Sequence, residues 1–568
     1  NIKNLKICFQ AQGHTFRKNA YYKFAWTLIQ SDPLQFGIDL TQETTLQKPE
    51  DIITSIAHCL ENYPMDAARK ITRNLDTLSK QLTQSGKEVF IYELLQNAND
   101  YPQKKKNGAK EESIPVDVEF HILDDFLTFQ HTGEYFNAKN VAAICNINDG
   151  EKNENTEAIG YKGIGFKTVF LDNDYVFLQT GTFSFRFDRK RGTSKDVPIN
   201  TPWQIYPFWT PIESVDQSIR NAFNHDQKDL FRVKFALKPR NSKILTDRSR
   251  KDNYIDLFSN VFSTERVILF IPKIHKVSVY FGNSSTPAIV RSKDNDSWCV
   301  SDALTDNVPE EIRNRINDVL TNNDADRSDG YDKIPEKYLN FNKTAVRFAC
   351  KREGRKLLPV DNAILYCYLP AKRANWGFPF LMNTDMVPNG ARDDIEDIEL
   401  NHTIAKIAGR QFFYWIKSLI EFKQYNLDSI FSLIPNFEEC KEKHEDYETF
   451  IEEFQEEFEY LITDEPFVPV VDSKGDQYYA TIDNIVNDMT EITKENIMSD
   501  DFFLTLTKLE EPLLPIQELR ESPSFMAFLY KHSLSSHDIN FETIKKKCAR
   551  SDFKEWLKNV DNNNNFLN

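Results

Sequence analysis

Long apolar runs are missing from this 568-residue sequence. None approaches the roughly 18 residues that crossing a bilayer requires, which argues against an integral-membrane class. The eight cysteines, Cys8, Cys59, Cys145, Cys299, Cys350, Cys367, Cys440 and Cys548, are scattered, with no two at CxxC spacing. Neither a zinc ribbon nor a disulfide framework is suggested, and free thiols in a reducing compartment are expected. Positive charge is in deficit: 70 Lys and Arg stand against 86 Asp and Glu, a formal net charge of −16. A surface-wide grip on nucleic acid is therefore disfavoured, leaving only a local basic groove open. The opening Asn1-Ile2-Lys3-Asn4 lacks an initiator Met and leads into no signal core, so a soluble cytoplasmic chain, or a piece of one, is expected.

What the sequence does have is aromatic and apolar residues, 13% and 40% of the chain, with 43 Phe and 22 Tyr. That supports packed cores, and the length calls for several of them. Four regions are expected: a mostly helical segment over 1–80, a domain over 81–245, a second over 246–420, and an acidic, mainly helical region over 421–568.

The run 51–60 has helical spacing behind an acidic start, and Lys87–Ala98 reads as an amphipathic helix closed by Asn99-Asp100-Tyr101-Pro102. The polar tract 103–113 reads as a loop. Alternation over Val116–Leu123, a turn at Asp124-Asp125 and a return over Phe126–Gln130 predict a β-hairpin. A helix is expected over 137–147 and strands over 175–179, 182–188 and 231–237. Val267–Ile271, Val277–Phe281 and Ala363–Leu369 are strand-like, 296–345 reads as loops, and a helix starts after Asn401. Phe437–Leu461 interleaves Glu with Phe and Tyr, as an amphipathic helix with a solvated acidic face does.

Two features carry chemistry. Glu93, Asn97 and Asp100 stand at i, i+4 and i+7 and so project from one helix face. Taken alone, that stripe reads as the solvated side of an ordinary helix. Further on comes Gly160-Tyr161-Lys162-Gly163-Ile164-Gly165-Phe166-Lys167, where three glycines let a backbone approach phosphate closely and present its N–H groups. A lone GxxGxG is weak, because turns use glycine freely.

Together, Tyr92-Glu93-Leu94-Leu95-Gln96-Asn97-Ala98-Asn99-Asp100 resembles the N-box of the GHKL ATPase superfamily (gyrase, heat-shock chaperone, histidine kinase, mismatch repair), and Gly160–Lys167 resembles its second glycine box. Within the superfamily the sequence is most similar to the sacsin-like branch, through Glu-Leu-Leu-Gln-Asn-Ala, through His131-Thr132-Gly133-Glu134-Tyr135-Phe136, and through Gly163–Phe170. Lys152 resembles a lysine common there. The likeness covers about 85–420. It implies an α+β fold: a Bergerat-type α/β sandwich with helices on one face of a mixed sheet, then an α/β transducer-like middle domain and a helical C-terminal region.

The resemblance also implies roles. Glu93 polarises the attacking water as general base, and Asn97 holds Mg²⁺ through its side-chain oxygen, the ion bridging the phosphates of ATP. Gly160, Gly163 and Gly165 cradle the phosphates, with Lys162, Ile164, Phe166 and Lys167 around them. Asp100, Gly133 and Lys152 complete the nucleotide-binding set, and residues 148–160 form a lid. Arg392, after Phe378–Asp385, reaches the γ-phosphate or pairs with a neighbouring Asp. Most of the superfamily has an Asp where this chain has His131, and that Asp accepts from the adenine amino group. A neutral histidine can accept through one ring nitrogen. Protein partners or separate effector subunits, in a chaperone-like, switch or anti-phage defence role, and nucleotide-dependent dimerisation are what the superfamily leads one to expect.

Rival readings are thinner. A histidine kinase needs an exposed phospho-acceptor, and His58 sits among apolar residues. Asp472-Ser473-Lys474 fits a nuclease acid-x-Lys pattern, but also a hairpin turn. The reading of another class is a nucleotide-binding scaffold with negligible turnover.

Overall fold

The computed structural model describes residues 48–61, 88–107, 110–145, 165–192, 202–224, 230–240, 244, 248–294, 296–322, 325–326, 328, 330–335, 338–389, 392–471, 476–495, 497, 503, 513–532, 537–556 and 558. The chain forms two units: residues 1–295 with 390–392, and residues 296–389 with 393–568. Both mix helices with sheet. Among the described residues no helix is long and apolar enough to cross a membrane. The acid-x-Lys pattern at 472–474 and most of the segment 1–80 lie outside the described residues, as do the side chains of His58 and Cys59.

In the first unit, helix α1 (Pro49–Glu61) opens with Glu50 and Asp51 in its first turn, where the helix dipole favours acid. Helix α2 (Val89–Asp100) follows. The tract expected as a loop at 103–113 instead forms a hairpin, β1 (Lys104–Asn107) and β2 (Lys110–Ser113). Its register sets Lys105 against Glu112, so opposite charges face one another where composition alone suggested coil. Then come β3 (Val116–Ile122), β4 (Leu127–His131), α3 (Ala138–Ile144), a 3₁₀ turn over Gly165–Leu171, β5 (Asn173–Thr180), β6 (Phe183–Asp188), β7 (Phe208–Trp209), α4 (Gln217–Phe223), β8 (Val233–Pro239), α5 (Arg248–Val261), α6 (Arg266–Leu269), β9 (Ile274–Phe281) and β10 (Ile289–Ser292).

The strands form one eight-stranded sheet in the order β10-β9-β3-β4-β8-β5-β6-β7. It is mixed, because β3 and β9 run parallel while the remaining neighbours are antiparallel. The pairing β3–β9 brings residues beyond 245 into this sheet, so the expected boundary at 245/246 falls inside the first unit, which runs to residue 295. Val267–Ile271, strand-like by composition, is mostly helical turn in α6; a short apolar run carries no period long enough to tell the two apart.

Phe120 on β3 has ring centroids at 5.1 Å from Phe129, 5.2 Å from Phe258 and 5.9 Å from Phe262, so α5 covers that face. The other face is covered as well. Ile219, Ala222 and Phe223 of α4 pack on Phe177 and Ala236, and Lys234 Nζ donates to the Phe223 carbonyl at 3.2 Å. Helices therefore lie on both faces of this sheet rather than one.

In the second unit, β11 (Trp298–Val300), β12 (Leu304–Asn307), α7 (Glu310–Thr321), β13 (Lys343–Glu353), β14 (Lys356–Leu358), β15 (Leu365–Cys367), β16 (Leu369–Ala371) and β17 (Leu381–Asn383) precede the long helix α8 (Glu399–Glu421). Among its described residues the stretch 296–345, expected as loops, thus carries β11, β12, α7, a 3₁₀ turn over Tyr331–Lys333 and the start of β13. Helix α7 forms because Ile312, Ile316 and Val319 make one buried stripe inside an otherwise polar sequence. β13 is the hub, pairing with β11, β12, β14 and β17.

Helices α9 (Leu427–Phe431), α10 (Phe437–Lys443) and α11 (Glu448–Asp464) follow. Phe450, Ile451, Phe454 and Phe458 are the buried side of α11, while Glu448, Glu452 and Glu456 are exposed. Phe412 and Trp415 of α8 stack on Phe380 at 4.6 Å and on Phe348 at 5.2 Å, and Phe454 lies 4.8 Å from Phe378. Beyond 464 the region is not purely helical. A three-stranded sheet joins β18 (Val468–Val471), β19 (Gln477–Ala480) and Leu514–Pro515, alongside the helix Pro523–His532.

Candidate functional site

Helix α2 places the three polar residues of the stripe. Ile91, Leu94, Leu95 and Ala98 are buried apolar positions of the same helix. Glu93 is only 4% exposed and Asp100 is buried, with Asn97 half-buried. A solvated stripe is therefore not what this helix presents. Burying a carboxylate costs several kcal/mol unless it is paired, and Glu93 is paired: the Arg392 guanidinium Nη1 donates to its Oε1. Arg392 belongs with residues 390–392, which group with the first unit although the chain on either side groups with the second. Its backbone is left-handed, φ 60°, which costs a non-glycine residue about 1–2 kcal/mol and is held by the surrounding structure. Pairing with a neighbouring Asp, the alternative raised by sequence, is not the ion pair observed.

The end of α2 is anchored by Asn99, a residue in the motif to which the sequence reading gave no role. Its Oδ1 accepts the Lys273 N–H at 2.8 Å, just ahead of β9, and its Nδ2 lies 3.3 Å from Asp100 Oδ1. Asn99 thus fixes where Glu93 and Asn97 sit relative to the sheet. An amide at a helix end that reaches a later strand leaves no local sequence signal.

His131, the last residue of β4, is 1% exposed. Burial alone pushes its pKa down to about 3, so the ring is neutral at physiological pH. Its Nδ1 accepts the backbone N–H of Gly133 at 3.2 Å. That assigns the ring proton to Nε2, leaving a donor there. The acceptor role that the sequence suggested for His131 is spent on Gly133. Gly133 is itself required: a Cβ there would stand 2.6 Å from the Tyr101 carbonyl and 2.7 Å from His131 Nδ1.

Gly165 starts the 3₁₀ turn, and Phe166 packs at 5.6 Å from Phe235 and 5.7 Å from Phe170. Lys167 is buried, with Nζ donating to the carbonyls of Ile144 and, at 3.1 Å, Gln204. Burial lowers its pKa to about 7, partly offset by the nearby Cys145, whose own thiol burial raises to about 12. In this structure its ammonium is committed to two carbonyls of the core. Lys152, Gly160, Lys162, Gly163 and Ile164 lie outside the described residues.

Among the described residues no group of three or more His, Cys, Asp and Glu is placed to hold a metal ion. A single side-chain oxygen such as that of Asn97 fits Mg²⁺ only in the manner of nucleotide sites, where phosphates and water supply most ligands.

No family model matches the chain. Over 125 residues it is 31% identical to Protein NO VEIN of Arabidopsis thaliana, a match that covers 22% of this chain and 4% of that protein. The chain thus spans a small fraction of the relative it matches.

Proposed function

We propose that the first unit is a GHKL-like module, with the short helix α4 an addition on the second face of its sheet, that binds ATP with Mg²⁺ and hydrolyses it. The observation that carries the reading is Glu93: a carboxylate 4% exposed in an apolar helix, one turn from a half-buried amide and held by an arginine from far along the chain. A purely structural helix has little reason to bury that group, whereas a general base near a reacting phosphate must be screened from bulk water. Asn97 would hold the metal, which when bound neutralises charge on the phosphates. The glycine segment 160–165 would offer backbone N–H groups, and residues 148–160 would close over the nucleotide.

In the arrangement seen, Arg392 occupies Glu93. A γ-phosphate, which carries more negative charge than one carboxylate and also accepts bidentately, would compete for that guanidinium. Nucleotide would thereby release Glu93 to orient water and would shift residues 390–392. That shift is the output by which the module regulates protein partners in the cytoplasm, in a chaperone-like, switch or defence role.

A second reading, a nucleotide-binding scaffold with negligible turnover, is favoured by one observation: His131 shows a donor where adenine recognition needs an acceptor. Steady-state phosphate release by wild type and Glu93→Ala, with ATP binding measured on both, separates the two. Loss of turnover by about a hundredfold or more with binding retained supports hydrolysis; equal rates would leave the scaffold.

A further inference from the structure

The second unit holds a pair of thiols that the nucleotide reading does not use. Cys299 on β11 is directly opposite Cys350 on β13 in an antiparallel register. The flanking bonds, Arg352 N to Ser297 O at 2.8 Å and Ser301 N to Phe348 O at 2.9 Å, place 299 and 350 at the hydrogen-bonded type of pair. Such pairs have Cα atoms about 5.5 Å apart, inside the roughly 4.4–6.8 Å that a disulfide spans. Both thiols are free, and both side chains point to the same side of the sheet.

The surroundings treat the two sulfurs differently. The Cys350 thiol, the Tyr425 hydroxyl and Arg352 are the groups that act on the Cys299 sulfur. The Arg352 guanidinium lies 5.7 Å from the Tyr425 ring and is fixed by Asp296 at 2.6 Å. These neighbours, Cys350 first, hold the Cys299 thiol below its ordinary range, while Cys299 and burial push Cys350 up. Cys299 is 8% exposed and Cys350 fully buried, so a small oxidant meets Cys299 first.

We propose that Cys299 and Cys350 are a peroxide-modified dithiol, with Cys299 the attacking sulfur and Cys350 the resolving one. The Cys299 thiolate attacks one peroxide oxygen. An S–O bond forms, the O–O bond breaks, and the departing hydroxide takes a proton to become water. The Cys350 sulfur then attacks the Cys299 sulfenic acid; the S–S bond forms, the S–O bond breaks, and the Cys350 proton leaves with the oxygen as a second water. Two thiols are oxidised to one disulfide and the peroxide is reduced. The product ties the edge strand β11 to the hub β13 and closes the segment that carries β12 and α7. A dithiol reductant reverses it.

The test uses the full chain treated with hydrogen peroxide, blocked with an alkylating agent, and mapped by mass spectrometry. The expected result is a chain lighter by two hydrogen atoms, with a linked peptide holding Cys299 and Cys350 that dithiothreitol resolves. In Cys350→Ser, a sulfenic-acid trap such as dimedone labels Cys299; in Cys299→Ser, Cys350 stays unlabelled. At pH 8 the untreated chain should lose its Cys299 thiol to iodoacetamide about tenfold or more faster than Cys145. Full alkylation of both Cys299 and Cys350 after peroxide, or linkage of either to a different cysteine, would overturn the proposal. The measurement on wild type needs no variant to fold.

Discussion

The Nδ1 atom of His131 accepts the Gly133 N–H at 3.2 Å, and this one bond decides which ring nitrogen keeps the proton. With the proton on Nε2, the ring is a donor there; on the proposed nucleotide reading, adenine recognition calls for an acceptor. His131→Asp should therefore raise the preference for ATP over GTP, read as the ratio of dissociation constants in a nucleotide-binding screen. An unchanged ratio would remove His131 from base recognition.

The same histidine makes an acid-sensitive fold. Its folded pKa, about 3, lies below the ordinary 6.5, so between those values the unfolded chain binds the extra proton and folding weakens as pH falls. The contribution is fully present above 6.5 and is lost progressively toward 3, by up to a few kcal/mol. His131→Gln, which keeps an acceptor for Gly133, should flatten the fall in melting temperature between pH 6.5 and 4. A slope equal to wild type would contradict this assignment.

His402 on α8 behaves in the opposite sense. Its ring stacks on Phe450 at 4.2 Å, with Nδ1 at 2.8 Å from Glu453 and Nε2 at 2.7 Å from Asp397. Burial acts to lower its pKa, but the two carboxylates outweigh it and the pKa is raised. The stabilisation is then complete below 6.5 and disappears as pH rises through the raised value, by up to about 1 kcal/mol after solvent screening. His402→Gln should cost stability at pH 6 and much less at pH 8.5, followed by denaturant unfolding of the second unit.

The ion pair Arg392–Glu93 should show an asymmetry between its partners. Arg392→Met strands a carboxylate that is 5% exposed, at a cost of about 3–5 kcal/mol. Glu93→Gln leaves an arginine that is 14% exposed and costs less. The double variant should recover part of the Arg392→Met loss, a coupling that a double-mutant cycle of urea melts measures directly. Additive effects would mean the pair contributes nothing.

Gly409 gives a packing prediction. A Cβ on it would stand 2.1 Å from the Phe454 carbonyl oxygen, so α8 and α11 approach backbone to backbone at this point. Gly409→Ala must separate them and disturb the Phe412–Phe454 contact, at about 1–3 kcal/mol or more. Near-UV circular dichroism, which reports the aromatic packing, should weaken alongside the melting temperature; wild-type behaviour in both would show that the helices can move apart freely.

Much of the fold was legible because period and burial agree. The hairpin of β3 and β4 alternates in sequence, although β4 is buried at every position because helices cover both faces, and α8 and α11 carry their apolar stripes in the open. What was not legible depended on partners far along the chain. β9 gave no sign in its own residues that it pairs with β3, and the tract at 104–107 became a strand through its pairing with β2, whose register sets Glu112 opposite Lys105. The same holds at the site. The stripe Glu93, Asn97, Asp100 could be read from spacing, but its burial could not. The bond from Gly133 to His131, and the anchoring of Asn99 on Lys273, use backbone N–H donors, and a backbone donor leaves no trace in residue type.

The contact from Arg392 to Glu93 also bears on how this protein can be cut. The first unit is continuous to residue 295 and then waits for residues 390–392. A recombinant fragment ending at 295 would keep the helix, the sheet and the glycine segment, yet would carry Glu93 into its interior with no counter-ion. Such a fragment is best made as Glu93→Gln, or supplied with the missing tripeptide by circular permutation.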